Sequence, residues 1–208
     1  MKKILTLAVL MLVASASFAQ LAVGVGYINP KQTVKYNNNS YTNALNGFQL
    51  GADYTLNFGE VGLTPGIHFT FATGTNENNI GTLVSTKSTQ TETYVAIPVH
   101  LSYSYDLARD MRVFVYAGPT FNCGLSSKMK YDASGFGASG TITTDLYNDS
   151  DDYAKFEVLL GGGVGFDLME TFRFSLGWDY GLTNRYTGTL DGYKQHSSMV
   201  NFTISYLL

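Results

Sequence analysis

A strict alternation of apolar and polar residues over 172–183 constrains the fold of this chain more than any other feature. Its even positions are all apolar, from Phe172 to Leu182, whereas its odd positions, from Arg173 to Thr183, are charged, polar or glycine. At an apolar content of 45%, six apolar residues in six even positions arise by chance about one time in a hundred. Because successive side chains of a β-strand point to opposite faces, the segment is predicted to be a strand with one apolar and one polar face.

Seven further segments have strand character, which gives a predicted total of eight. The last ends on the alternation Val200 to Leu208, and the others lie at about 21–28, 47–58, 61–72, 92–105, 111–124 and 153–167. Most are longer than the roughly 5–6 residues usual in soluble proteins and match the roughly 9–11 needed to cross a bilayer at a tilt. Beyond residue 20, no uninterrupted apolar stretch approaches the roughly 18 residues of a membrane-spanning helix.

The predicted connections alternate strictly between short and long. Short links fall at 59–60, 106–110 and 168–170, and long polar loops at 29–46, 73–91, 125–152 and 184–197. In an up-and-down meander this order places every short turn, and both termini, at one end. Short periplasmic turns and long external loops are typical of outer-membrane barrels. The predicted fold is therefore all-β, an eight-stranded antiparallel up-and-down transmembrane β-barrel.

The polar face distinguishes a membrane barrel from a soluble one, because the two bury opposite faces. This face carries charges of both signs and two histidines, which we expect to fill the lumen as a structural polar network: Asp53, His68, His100, Arg112, Lys155, Glu157, Arg173 and Asp179. The apolar face is free of charge in the well-patterned strands. Closing the hairpin near 72 and 92 pairs His68 with about residue 96, four residues from His100, which argues against shared metal ligation.

Aromatic residues lie towards both ends of the apolar rows, where they are expected to form two lipid-interface girdles. Those near the loop end are Tyr27, Trp178 and Tyr180, and those near the turn end are Tyr54, Phe58, Tyr103, Phe166, Phe172 and Tyr206. The alternative is the general preference of β-strands for tyrosine and phenylalanine.

The N-terminus has the layout of a secretory signal. Two lysines precede an apolar run and a small-residue region, so cleavage is expected after Ala19, giving a signal peptide at 1–19 and a barrel at 20–208. The formal charge of −3, without a basic cluster, argues against a nucleic-acid partner. Cys123 is the single cysteine and cannot form an intramolecular disulfide. No metal, cofactor or catalytic site is predicted.

The central hairpin resembles that of the PorT-like outer-membrane β-barrel domain family. The resemblance rests on the runs Tyr94–Tyr103 and Val113–Pro119, and on a closing alternation through Tyr206, although the terminal Phe usual in the assembly signal is replaced by Leu208. It covers the whole mature chain. It implies insertion by the barrel-assembly machinery, contact with outer-membrane lipid and lipopolysaccharide, and no catalytic residues to transfer.

Three functions are compatible with this reading. The first is a structural or surface-interaction role of a monomer through its long extracellular loops, with an unknown partner. The second is a small passive channel for ions or apolar solutes. The third is a lipid A-modifying hydrolase, because His196 and Ser198 share a strand face as in the lipid A deacylases, although no acidic residue follows them. A polar loop end is the favoured explanation of this pair, and we predict that the protein is not an enzyme.

Overall fold

A computed structural model describes residues 19–37, 39–80, 84–135, 138–148, 153–190 and 192–208. The predicted signal peptide therefore lies almost wholly outside the described residues. Within these ranges the protein forms one antiparallel sheet of ten strands. The same ranges contain no helix with the length and apolar character that crossing a membrane demands.

The ten strands are bounded as follows. They are β1 (Ala19–Tyr36), β2 (Asn39–Ala44), β3 (Asn46–Phe58), β4 (Val61–Ile80), β5 (Val84–Ala108), β6 (Met111–Gly135), β7 (Ala138–Asp145), β8 (Phe156–Leu168), β9 (Phe172–Gly181) and β10 (Lys194–Leu207).

Eight of the described strands close into a ring. Their order is β1-β3-β4-β5-β6-β8-β9-β10, and β10 returns to pair with β1 from Ala22↔Leu207 to Lys35↔Lys194. The two remaining strands, β2 and β7, pair only with β1 and β6 respectively in the described sheet. Every ring neighbour is antiparallel and adjacent in sequence apart from these two insertions, so the predicted eight-stranded up-and-down barrel is confirmed.

The wall of the barrel is apolar outside and polar inside. Val25, Val164 and Leu176 leave 59%, 55% and 52% of their surface exposed on the outer face. Inward positions of the same wall, such as Asp167 and Thr203, are buried. Exposed apolar rows around a polar interior are the reverse of a soluble barrel. The outer face therefore contacts lipid, as the alternation predicted.

Tight turns connect the strands at one end of the barrel. Gly59 adopts φ +73°, a left-handed conformation that glycine reaches without steric cost. At the turn between β8 and β9, Met169 and Glu170 adopt φ 55° and 52°. Two consecutive left-handed residues are typical of tight turns whose twist matches that of the flanking strands. The short links therefore lie at one end, as predicted.

The long connections differ from the sequence prediction, which treated them as loops. Residues 73–80 of β4, 84–93 of β5, 126–135 of β6 and 138–145 of β7 form a four-stranded extension of the barrel wall, here called the projecting sheet. Threonine pairs line one face, with hydroxyls 3.3 Å apart for Thr73 and Thr91. Because both faces of this sheet are polar, the alternation that reveals the barrel strands is absent from it.

Candidate functional site

The middle of the lumen holds the two predicted histidines in separate polar contacts. His68 Nε2 lies 3.0 Å from a carboxylate oxygen of Asp53. His68 pairs in register with Ala96, and His100 pairs with Thr64, so the predicted four-residue offset is confirmed. The imidazole of His100 lies 3.4 Å from the hydroxyl of Thr120. No group of three or more His, Cys, Asp or Glu side chains in the described chain is placed to hold a metal ion.

Asp179 completes the polar lining of this region. Its carboxylate accepts hydrogen bonds from the Asn201 amide at 2.9 Å and from the Thr120 hydroxyl at 3.5 Å. These groups border a lumen cavity of about 100 Å³, which also contacts Asp53, His68 and His100. The cavity is small because an eight-stranded barrel has room for little more than its own side chains.

The turn end of the lumen is occupied by two arginine–carboxylate pairs. The guanidinium of Arg173 donates to both oxygens of Asp167, at 2.7 and 2.8 Å, and lies over the ring of Phe114. Arg112 donates to Asp106 at 2.6 Å in a more exposed position. The predicted lumen network included Arg173 but not Asp167, although the alternation of β8 places Asp167 on the polar face directly opposite Arg173.

The mouth of the lumen at its loop end contains a buried ionic cluster, of which only Glu157 was among the predicted lumen residues. Arg185, from the connection between β9 and β10, donates to both oxygens of Glu92 at 3.2 and 3.4 Å. It also donates to the hydroxyl of Tyr147 at 3.0 Å and lies 3.9 Å from Glu157. Arg185, Glu92 and Glu157 are all buried. The two connections that carry Tyr147 and Arg185 are thereby fixed across the mouth.

The charge state of this mouth cluster follows from its geometry. Burial by itself lowers the pKa of Arg185, but the carboxylates of Glu92 and Glu157 outweigh this effect and raise the pKa. The guanidinium is therefore charged. Burial raises the pKa of Tyr147 to about 12, against the opposing effect of Arg185, so its hydroxyl remains protonated. The cluster contains one cation and two acidic side chains.

Lys155 lies elsewhere than predicted. It precedes β8 and is exposed, and its ammonium lies 5.9 Å from the centre of the Tyr147 ring. The assignment of Lys155 to the lumen wall extended the alternation beyond Phe156, where β8 begins. Glu157 does face the interior, but its cationic neighbour is Arg185 rather than Lys155.

A β-bulge brings a further hydrogen-bond donor to the mouth cluster. Tyr94 pairs with Gly124 and Thr93 with Ser126, so Leu125 is an extra residue in β6. The insertion reverses which residues face inward. Ser127 is consequently buried and donates to Glu92 at 3.1 Å.

Glutamines surround the cluster and bridge the barrel strands at the same level. The Nε2 atoms of Gln90 and Gln195 both lie 3.0 Å from Oε1 of Gln32. All three side chains are at least 96% buried. Together with the mouth cluster, they form a continuous polar layer across the lumen.

An apolar layer lies beneath the polar one. Ile28, Leu45 and Ala72 are completely buried and cluster with Met199. The hydroxyl of Tyr94 donates to the sulfur of Met199 at 3.3 Å. The polar and apolar layers therefore fill the loop end of the lumen, next to the small polar cavity.

All nine predicted girdle aromatics lie on outward-facing positions of the barrel. Exposed fractions are highest for Phe58, at 67%, and Trp178, at 54%. Ring pairs occur near both ends, including Trp178 with Tyr180 and Phe172 with Tyr206. Their contact with headgroups stays a prediction.

His196 and Ser198, the residues of the hydrolase hypothesis, face the outer wall. His196 donates through Nδ1 to the carbonyl of Gly181 at 3.2 Å, and its ring stacks on Tyr180. Ser198 is the cross-strand partner of Lys31 and Tyr180. Asp191, the nearest upstream acid, lies outside the described residues.

Comparison with known proteins identifies a family and similar folds. The family model described as "Outer membrane protein beta-barrel domain" matches residues 15–186. Ail, the attachment invasion locus protein of Yersinia pestis, is 15% identical, with 91% of this chain and 99% of that one covered and a TM-score of 0.41. Neisserial surface protein A is 10% identical, with coverages of 89% and 97% and a TM-score of 0.39. No curated protein matches the sequence.

The similar structures also include an enzyme. The outer membrane protease OmpT from Escherichia coli is 10% identical, with 91% of this chain and 96% of that one covered and a TM-score of 0.38. At these identities and TM-scores the similarities carry no information on function.

Proposed function

The chain belongs to the outer membrane protein β-barrel domain family, and on that premise we propose that it is a non-conducting, non-enzymatic surface-interaction protein. The observation that carries the proposal is the projecting sheet, which extends the barrel wall at the end opposite the tight turns. In this proposal that end faces the exterior, the termini are periplasmic and the signal peptide is removed. The hairpin resemblance supports a PorT-like subgroup.

The free edge of β7 is the part of the projecting sheet best suited to a partner. Within the described sheet β7 pairs with β6 alone. Residues 138–145 contain neither lysine nor proline, the residues with which natural proteins commonly block an exposed edge. Ile142, at 68% exposure, adds an apolar contact on the same strand. An extended segment of a partner protein can add to such an edge through main-chain hydrogen bonds.

The two layers across the lumen favour this role over the channel alternative. An ion that crossed would have to displace the buried Arg185–Glu92 pair and then the apolar layer around Ile28. The hydrolase alternative has less support, because the Nδ1 of His196 is committed to a main-chain carbonyl.

Removal of the tip of the β6–β7 hairpin tests the proposal. Residues 130–143 are replaced by an Asn-Gly turn joining Met129 to Thr144, which are register partners, so that Ser127 and Tyr147 remain. Photo-crosslinking groups are placed at Thr143 on the β7 edge and, as a matched control, at Val25 on the lipid-facing wall. In native outer membranes we expect a protein adduct at Thr143 and none at Val25, and loss of that protein from the material copurifying with the trimmed barrel.

Two results would contradict the surface role. One is an unchanged set of copurifying proteins after the tip is removed from a barrel that remains folded. The other is an adduct profile at Thr143 that matches the profile at Val25.

A further inference from the structure

Three lysines on the outer wall of the β1–β10 seam have no acidic partner among the described residues. Lys31 and Lys35 belong to β1 and Lys194 to β10, and all three are exposed. Lys35 and Lys194 are direct cross-strand partners, an arrangement in which like charges repel. No carboxylate of the described residues lies within salt-bridge distance of any of the three. The three lysines are referred to below as the seam lysines.

Two lysines of the projecting sheet, in contrast, have acidic partners. Lys87 lies 3.0 Å from Glu77, and Lys130 lies 3.0 Å from Asp132. The sequence contains 16 acidic residues against 13 basic ones, so carboxylates are not scarce. A like-charged pair that no carboxylate of the described ranges compensates points to an anion supplied from outside the protein.

The seam lysines begin where the apolar wall ends. Lys31 is the cross-strand partner of Ser198, which on its other side pairs with the exposed aromatic Tyr180. Below this row the outward positions of β1 and β10 are apolar except for Asn29. Lys35 and Lys194 lie four residues further along their strands, which is about 14 Å at 3.4 Å per residue. The positive charge therefore occupies two heights above the acyl region.

Polar side chains fill the interval between these two heights. Thr33 and His196 are cross-strand partners there, and the hydroxyl of Thr33 lies 3.0 Å from that of Thr42 on β2. With Ser198, the outer face of the seam offers hydroxyl donors between its cations. This composition suits phosphate and carboxylate oxygens.

We propose that the seam lysines, with Thr33 and Ser198, bind one phosphorylated glycolipid of the outer leaflet. The inference rests on the orientation given under the proposed function, with the loop end outside. A glycerophospholipid carries its phosphate in a single layer next to the acyl region and so reaches Lys31. A glycolipid with anionic groups on its sugar core also reaches Lys35 and Lys194 and neutralises their repulsion.

The test compares two lipids and three variants of the full-length mature protein in a neutral detergent. Probes are a rough-type lipopolysaccharide with phosphorylated core sugars and phosphatidylglycerol. The variants are Lys31→Gln, the double substitution Lys35→Gln/Lys194→Gln, and the control Lys87→Gln/Lys130→Gln, which removes equal charge from paired lysines. A basic side chain near an anionic lipid surface contributes about fivefold in affinity.

We expect Lys31→Gln to weaken binding of both lipids about fivefold. The Lys35→Gln/Lys194→Gln protein should lose roughly twenty-five-fold for the lipopolysaccharide and nothing for phosphatidylglycerol. The Lys87→Gln/Lys130→Gln control should bind both as the wild type does. All substitutions are at exposed positions. The midpoint temperature of thermal unfolding in detergent should not fall for the Lys35→Gln/Lys194→Gln protein, because this variant loses a like-charge contact.

Three outcomes would overturn the inference. Equal losses for the two lipids in the Lys35→Gln/Lys194→Gln protein would remove the argument from two heights. An equal loss in the Lys87→Gln/Lys130→Gln control would make the effect one of net charge. Competition by inorganic phosphate at the concentration of the lipid would show that a free anion is the ligand. Trimming residues 130–143 should leave lipid binding intact, so failure of the partner-binding role is distinguishable from failure of the lipid site.

Discussion

Removal of the cation at the lumen mouth should open that mouth without unfolding the barrel. In the wild type one guanidinium faces two buried carboxylates, so Arg185→Gln leaves Glu92 and Glu157 uncompensated. Removing one partner from a buried ion pair costs about 3–5 kcal/mol. The substitution Glu92→Gln is milder, because Arg185 then faces Glu157 alone and the main loss is of charge-assisted hydrogen bonds, about 1.5–3 kcal/mol.

The loss should appear as local opening, because the residues that Arg185 fixes belong to the connections and not to the ring. A cost of 3–5 kcal/mol raises the opening equilibrium by roughly two to three and a half orders of magnitude. Amide exchange in detergent micelles should therefore accelerate around Tyr147 and over 184–190, with amides in the middle of β4 unchanged. The reasoning is refuted if Glu92→Gln accelerates exchange as much as Arg185→Gln, or if Arg185→Gln leaves it unaltered.

Four further predictions concern the wall and the lumen. Val164→Lys places a charge in the middle of the outward apolar rows and should cost about 2–4 kcal/mol in reversible unfolding from lipid; no loss there would mean that this face does not meet acyl chains. Gly163→Ala should destabilise the barrel by roughly 1–3 kcal/mol in a denaturant titration, because a Cβ would lie 2.2 Å from the carbonyl oxygen of Leu176. The control Gly140→Ala should be neutral in the same titration, because its Cβ would meet nothing within 4 Å. The wild-type protein should give no conductance steps in planar bilayers, and unitary steps would contradict a closed lumen. Leu45→Ala removes a fully buried side chain of the apolar layer and should lower the unfolding free energy by about 2–5 kcal/mol.

The strands that cross the membrane could be predicted because lipid imposes a pattern on them. Every second residue of β9 from Phe172 to Tyr180 is apolar, and all of these except the half-buried Phe174 are exposed. A strand of a water-soluble barrel would not expose such an apolar row opposite a charged one. The register of β4 against β5 could be predicted from the position at which their hairpin closes. The pairing of His68 with Ala96 was therefore predicted correctly. The projecting sheet was not predicted because water contacts both of its faces. Polar residues such as threonine and asparagine therefore occupy both faces, and the sequence shows no apolar–polar alternation there.

The mouth cluster could not be predicted for a different reason. Arg185 is an isolated charge in a segment without regular structure, and nothing local indicates that it folds back into the lumen. Glu92 lies on the inward face of β5, but the bulge at Leu125 that brings Ser127 to it depends on pairing with a distant strand. Asp167 is the exception, because extending the β8 alternation by ten residues from Glu157 reaches it.

The barrel and its surface features are stabilised by separate sets of interactions. The wall depends on continuous antiparallel pairing and on lipid contact, whereas the connections that cross the mouth depend on a few side chains around Arg185. A change in the connections therefore alters the exposed surface without affecting the ring, since β-sheet pairing between ring neighbours does not pass through them. The seam lysines are an intermediate case, because they lie on ring strands above the apolar wall. A lipid bound there would link the fixed barrel to the membrane surface on which the projecting sheet stands.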